Sequence, residues 1–372
     1  MKKLVLFVFA MISAIASMAD NEFSCWSNID SISPEDLYSA GKVFYTYGDT
    51  VSAAKCFEKA SEFDAEAQYV YGLFTMGGYG GVKKNIKKGL RLVERAAKNA
   101  QPDALAFLGE IYEFGEYEYP LDKAMALNYY KKASLVGSLE GHIACGNSYW
   151  SAGDTVKAIN YWSKAVEGTD PDIVPDSQRD NMADITIKLA RLCQDGLLLD
   201  YDAVGCYELS VMYGNTKEAA FELGLKCLDG NEPDYGLATY YFKMAATSGQ
   251  SEAYTFLGDI LRILGDDDSA IAFYLKGTEY QNESAILSLA ELYFDRADYD
   301  SATYWAKKCS DNENALYLLG WISYLQEDFV QAKYYWQQCV FRFHNADAIT
   351  MLRYLSSDDS EGIVTNKGLI DM

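Results

Sequence analysis

One pattern recurs nine times along this chain, and it leaves few folds open. A small residue sits on a first stretch of helical periodicity. A second small residue sits on the next stretch, with an aromatic or apolar pair three and four positions later and a further small residue at seven. The first small residues are Gly41, Gly72, Gly109, Gly146, Ala190, Gly224, Gly258, Ala290 and Gly320. The pairs are Cys56-Phe57, Leu92-Val93, Tyr129-Tyr130, Tyr161-Trp162, Cys206-Tyr207, Tyr241-Phe242, Phe273-Tyr274, Trp305-Ala306 and Tyr335-Trp336. Two antiparallel helices approach closely only where side chains are small, so Gly and Ala mark the crossings. The aromatic pair fills the space between one hairpin and the next. A lone hairpin cannot bury its own face, so stacking must supply the core. The spacing predicts an all-α solenoid of about nine helix–turn–helix units. Short turns such as Gly48-Asp49, Gly153-Asp154 and Gly265-Asp266-Asp267 link the two helices of a unit, and Asp266-Asp267-Asp268 and Asp298-x-Asp300 read as turn and N-cap residues rather than a calcium loop.

The units resemble tetratricopeptide and Sel1-like repeats over about residues 34–345. Five place their two small residues twelve apart, as tetratricopeptide repeats do. Gly78-Tyr79-Gly80-Gly81-Val82 followed by Lys87-Lys88-Gly89 is similar to the Sel1 glycine loop. The resemblance implies a binding scaffold rather than a specific activity.

The repeats divide the chain into 34–167 (repeats one to four) and 181–345 (repeats five to nine), with an insertion or hinge at 168–180 that holds Pro171 and Pro175. A capping helix is expected at 346–355 and a disordered acidic tail at 356–372. Residues 1–19 read as a signal peptide: basic Met1-Lys2-Lys3, the apolar run Leu4 to Ile15, and small residues at Ser17 and Ala19. The apolar run is too short to cross about 30 Å of hydrocarbon. A linker, 20–33, follows. The expectation is export, periplasmic or secreted, from a bacterium.

Charge narrows the partner. Lys+Arg number 32 against Asp+Glu 54, a formal net charge of −22. Contact with nucleic acid or an anionic bilayer needs clustered bases, so neither is expected. In such superhelices the first helices line the inner groove. The positions facing it include Tyr38, Tyr45, Tyr69, Trp150, Phe221, Phe294, Tyr317, Trp321 and Tyr324. Glu66, Asp103, Glu110, Glu113, Glu140, Asp259 and Glu291 share that face, with Lys42, Arg191 and Arg262 as its bases. An acidic aromatic groove suits a basic or neutral protein or peptide segment. A carbohydrate or cell-wall module using the same strip is the alternative.

Chemistry is sparse. His142 and His344 stand apart from any Cys/Asp/Glu cluster at ligand spacing, so neither metal nor cofactor is expected. Ser39-x-x-Lys42 and Ser52-x-x-Lys55 match the S-x-x-K pattern of serine β-lactamases, but S-D-N and K-T-G are missing. An envelope hydrolase of Sel1 type is therefore the least favoured reading, and the chain is expected not to be an enzyme. Seven of the eight cysteines fall on packing slots and read as small buried hydrophobes; Cys25 lies outside the repeats. Cys193 and Cys206, on the facing helices of one hairpin, are the best-placed disulfide pair. Oligomeric state is not legible.

Overall fold

The computed structural model describes residue 29 and residues 32–198 and 201–358. The expected signal peptide, Cys25 and the tail beyond residue 358 lie outside the described residues. Those described form nineteen helices and no strand. They group into two compact units that meet between Asn215 and Thr216.

The first unit holds α1 (Leu37–Thr46), α2 (Thr50–Ala60), α3 (Ala65–Gly77), α4 (Ile86–Lys98), α5 (Pro102–Phe114), α6 (Lys123–Leu135), α7 (Leu139–Ser151), α8 (Thr155–Glu167), α9 (Asp176–Gln194) and α10 (Ala203–Met212). The second holds α11 (Glu218–Leu228), α12 (Tyr235–Thr247), α13 (Glu252–Ile263), α14 (Asp267–Glu279), α15 (Glu283–Asp295), α16 (Tyr299–Lys308), α17 (Glu313–Leu325), α18 (Phe329–Phe343) and α19 (Ala346–Asp358). Successive pairs, α1 with α2 through α17 with α18, pack as antiparallel hairpins. Within each unit the second helix of one hairpin also packs on the first helix of the next. This is the α-solenoid class.

The small residues work as close contacts. A Cβ added at Gly41 would sit 2.6 Å from Phe57, at Gly109 2.5 Å from Tyr130, and at Gly224 2.7 Å from Phe242. Gly146 faces Trp162, Gly258 faces Tyr274 and Gly320 faces Trp336 in the same way. The two members of each pair therefore divide the labour. The second ring lies flat over its own hairpin's glycine and is buried. The first ring, such as Tyr129, Tyr161 or Tyr335, is half-buried toward a neighbouring repeat. The closing small residues mark the next crossing: a Cβ on Gly277 would meet the Ala285 methyl at 2.5 Å.

Every second helix opens on an Asp or Asn. Asp49, Asn85, Asp122, Asp154, Asp202, Asp234, Asp266, Asp298 and Asp328 each accept a hydrogen bond from a first-turn N–H. Such a carboxylate satisfies an orphan donor and complements the helix dipole. A sizeable share of the chain's acidity is thus structural. Asp49, Asp154, Asp266 and Asp298 are held below their ordinary value, chiefly by the serine or lysine three residues on.

Two departures from the sequence reading have physical causes. The expected hinge at 168–180 is not where the chain divides. Helix α9 already begins at Asp176 and packs on α7 and α8. Val174 is buried, and the Arg179 guanidinium donates to the Pro171 and Met212 carbonyls at 3.1 and 3.2 Å. These contacts fasten the insertion to α10. The fifth unit also departs. The repeat pattern makes Ala203 its second small residue, but the second helix starts there, so Ala203 is a half-buried first residue rather than a crossing point. Cys206 and Tyr207 make that contact instead, the Tyr207 hydroxyl donating to Gln194 at 2.9 Å. At the other end, α19 buries Ala348 and Met351 against Trp336 and Cys339.

Candidate functional site

The nine aromatic residues expected on the groove fall into separate rows in the two units. In the first, Tyr38 packs against Phe57 at 5.9 Å and carries the Lys42 ammonium 4.7 Å from its ring centre. Tyr45 meets Phe74 edge-on at 5.7 Å. Trp150, 38 % exposed, is the most open of the nine and tilts over Trp162. Tyr69 does not line a groove. It is fully buried, its ring edge-on to Phe107, because the neighbouring first helix α5 covers the turn from which it projects.

In the second unit Phe221 packs edge-on to Phe242 and Phe256. Phe294 leans on Tyr299. Tyr317, Trp321 and Tyr324 form one cluster with Trp336, Trp321 meeting all three at near-right angles. These rings are half-buried and engage one another.

The acids sort into two groups. Some complete the core. Glu113 accepts from the buried Tyr130 hydroxyl at 2.6 Å, and Asp259 accepts from Tyr274 at 2.6 Å. Others converge with one base, Lys42, acting on Glu66. Glu66 on α3 and Asp103 on α5 are bridged by the buried Gln101, whose Nε2 donates to them at 3.2 and 3.1 Å, while its Oε1 caps α5 at Ala104. Burial raises both carboxyls above their ordinary value, and the charge of Asp103 raises Glu66 further. The Tyr69 hydroxyl is buried here without a hydrogen-bond partner. It sits in the field of Asp103, Glu140, Glu110 and Glu66, and burial with those charges drives its pKa far up. In the second unit burial raises Asp259 and Glu291, but the Arg262 guanidinium pulls both back and pairs with Asp295. The first unit therefore holds the less compensated acidic surface, one suited to an ammonium or guanidinium.

The motifs read as chemistry find other uses. Ser52 belongs to the α2 cap: its N–H donates to Asp49 at 3.0 Å. Among the described residues no group of three His, Cys, Asp or Glu could hold a metal ion. The described cysteines are free thiols. Cys193 and Cys206 are not bridged; the two thiols lie close together, and burial pushes Cys206 up to about 12. No helix among the described residues is long and apolar enough to cross a membrane.

Known proteins match this architecture. Residues 36–62, 65–100, 102–138, 149–170 and 217–250 match the Sel1 repeat model. A stretch of 87 residues is 38 % identical to a sel1-like repeat-containing protein of Acanthamoeba polyphaga mimivirus, covering 23 % of this chain and 15 % of that protein's length. Among solved structures, a protective antigen present in uropathogenic Escherichia coli strains and displaying an SLR fold superposes with a TM-score of 0.55. It is 21 % identical, with 88 % of this chain and 80 % of that one covered, a likeness of fold. A Sel1 repeat protein from Oxalobacter formigenes is 20 % identical with a TM-score of 0.45, over 65 % of this chain and 96 % of its own. Six hairpins that lay an aromatic ring over a glycine, and five that overlap Sel1 matches, identify the repeats of this chain as Sel1-like.

Proposed function

We propose that this chain is a non-catalytic scaffold that holds a Lys- or Arg-bearing segment of a partner protein on the first helices of its first unit. Sel1 repeat proteins are generally protein–protein interaction scaffolds. The observation that carries the finer reading is the Glu66–Gln101–Asp103 cluster beneath Tyr38 and Tyr69, where burial holds both carboxyls above their ordinary value although Lys42 pulls Glu66 part of the way back. A partner cation would supply the missing charge. The aromatic rows favour a peptide over a stacked sugar, because their rings meet edge-on and leave few open faces. The Met1–Ala19 pattern supports export to the periplasm or medium.

Selection from a random peptide library displayed on phage tests this. The expected outcome is enrichment of Lys/Arg next to apolar residues, with affinity falling about tenfold in Asp103→Asn, as for one charge-assisted bond. Enrichment of acidic or of glycan-mimicking sequences indifferent to that substitution would sink it.

A further inference from the structure

A second charged site lies on the other side of α3, and its sign is opposite. Of the chain's 32 Lys and Arg, seven fall within residues 83–98 beside one acid, Glu94. In a chain of charge −22 that concentration is not the background. It borders a cavity of about 520 Å³ between α2, α3 and the loop 78–85, within the roughly 300–1,000 Å³ of small-molecule sites. Lys55, Lys83 and Lys88 line it. So do Gly80 and Gly81, with φ of +59° and +75°. The N–H groups of Gly80, Gly81 and Lys83 donate to no backbone carbonyl. A Cβ at Gly80 would strike the Thr50 carbonyl, so only glycine lets this loop close on α2.

A further donor faces the same space. Thr75, 1 % exposed, lines the cavity from α3 beside the Tyr71 hydroxyl, and its buried Oγ1 has no partner at hydrogen-bond geometry. Asn85, also on the wall, caps α4 at Lys88, so the positive end of that helix opens here. One carboxylate lines the site: Glu58, which accepts from the Tyr71 hydroxyl at 2.5 Å. Three ammonium groups, loop N–H groups and a helix N-terminus against one engaged carboxylate make an oxyanion cradle. The cations are all lysines, point charges suited to a phosphoryl group, whereas arginine is the residue that forks onto a carboxylate.

We propose that this cavity binds the phosphoryl group of a small phosphomonoester or lipid headgroup, with the Thr75 hydroxyl as its buried donor and Lys55, Lys83 and Lys88 as its counter-charges. The cavity exceeds one phosphate, and the Val51, Ala54 and Val82 side chains on its wall receive the organic part.

The test is calorimetric titration of the full chain with inorganic phosphate, glycerol 3-phosphate and citrate, and flotation with phosphatidylcholine vesicles with and without phosphatidic acid. Saturable binding of glycerol 3-phosphate, stronger than citrate, is expected. Lys83→Ala and Lys88→Ala should each weaken it roughly tenfold. Thr75→Val should weaken it similarly while leaving the unliganded protein at least as stable, since the hydroxyl it removes has no partner. Binding only to phosphatidic acid vesicles, lost in the same variants, assigns the source to a headgroup and upholds the proposal. No binding of any phosphoryl probe, equal binding of citrate, or affinity unchanged in all three variants would overturn it.

Discussion

Replacing Gly224 by alanine separates two opposing effects whose sizes the structure supplies. In an open helix the change gains up to about 1 kcal/mol of helical propensity. At Gly224, however, the new methyl would lie 2.7, 2.8 and 2.9 Å from Cε1, Cδ1 and Cζ of Phe242, about 1 Å inside normal carbon contact. Phe242 has nowhere to retreat. It is fully buried, edge-on to Phe221 at 5.6 Å and stacked on Phe256 at 5.0 Å. Overpacking of this kind costs about 1–3 kcal/mol. Because the buried ring cannot yield, the upper end of that range applies, and the net expectation is a loss of about 2 kcal/mol. Gly205 on α10 is the control. Its Cβ would meet nothing nearer than Asp202 Oδ2 at 3.6 Å, so Gly205→Ala should gain about 0.5 kcal/mol. Urea unfolding followed by circular dichroism reads both. Adding Phe242→Leu to Gly224→Ala should cost less than the two single losses together, because the branched side chain yields the space. If Gly224→Ala proves as stable as the parent, the glycine is not a steric crossing point and the packing account of every repeat fails with it.

Other consequences can be measured directly. Glu66 and Asp103 have folded pKa values above their unfolded ones, so the folded state binds protons more tightly, and stability falls as pH rises from the ordinary carboxyl range through the raised values. Asp103→Asn should therefore raise Tm at neutral pH, and its advantage should vanish on acidification to about pH 4; an advantage that grows instead would refute the assignment. The Cys56, Cys145, Cys309 and Cys339 thiols are pushed up to about 11 by burial, so iodoacetamide should label them slowly in the native protein and fully in denaturant without reductant. A Cys193–Cys206 peptide in a non-reducing digest would contradict the free-thiol structure. Glu327 holds a φ of +60° before the Asp328 cap, where three other repeats place Gly48, Gly153 and Gly265, and Glu327→Gly should stabilise by about 0.5–1 kcal/mol in thermal unfolding. No gain there would mean the turn imposes no strain.

The fold was legible because its determinants are local and repeated. Gly41 and Phe57, or Gly320 and Trp336, are sixteen residues apart in contact and in pattern alike, so period and chemistry agree. The groove was less legible because helical spacing states which way a side chain leaves its helix, not what a neighbouring hairpin lays over it. Tyr69 and Trp150 share that spacing, yet one is sealed by α5 and the other is open. The acids were blurred for a related reason. Asp49, Asp154, Asp266 and Asp298 each precede the second-helix small residue by four, a regularity present in the sequence that marks them as caps rather than groove charge. The basic segment 83–98 was equally visible, but its meaning needed the cavity, because the bare Thr75 hydroxyl and the free loop N–H groups leave no trace in composition.

Helix α3 explains how an acidic chain keeps charges of both signs apart. Tyr69 and Tyr71 are two residues apart, a turn of about 200° about the axis, so their side chains leave on opposite sides. Glu66 and Tyr69 face the carboxylates of α5; Tyr71 and Thr75 face the lysines of the loop and α4. The buried body of the helix, with Val70, Leu73 and Phe74 in the core, stands between the two fields. Water is excluded there, and neither set of charges can neutralise the other by contact. The two sites should then act independently. Glu66→Gln should weaken a basic peptide and leave glycerol 3-phosphate affinity unchanged, and Thr75→Val should do the reverse. In the double variant the two losses should add within about 0.5 kcal/mol, as for sites without shared partners. A larger coupling would mean that α3 shifts as a body when either face is occupied, and that one ligand regulates the other.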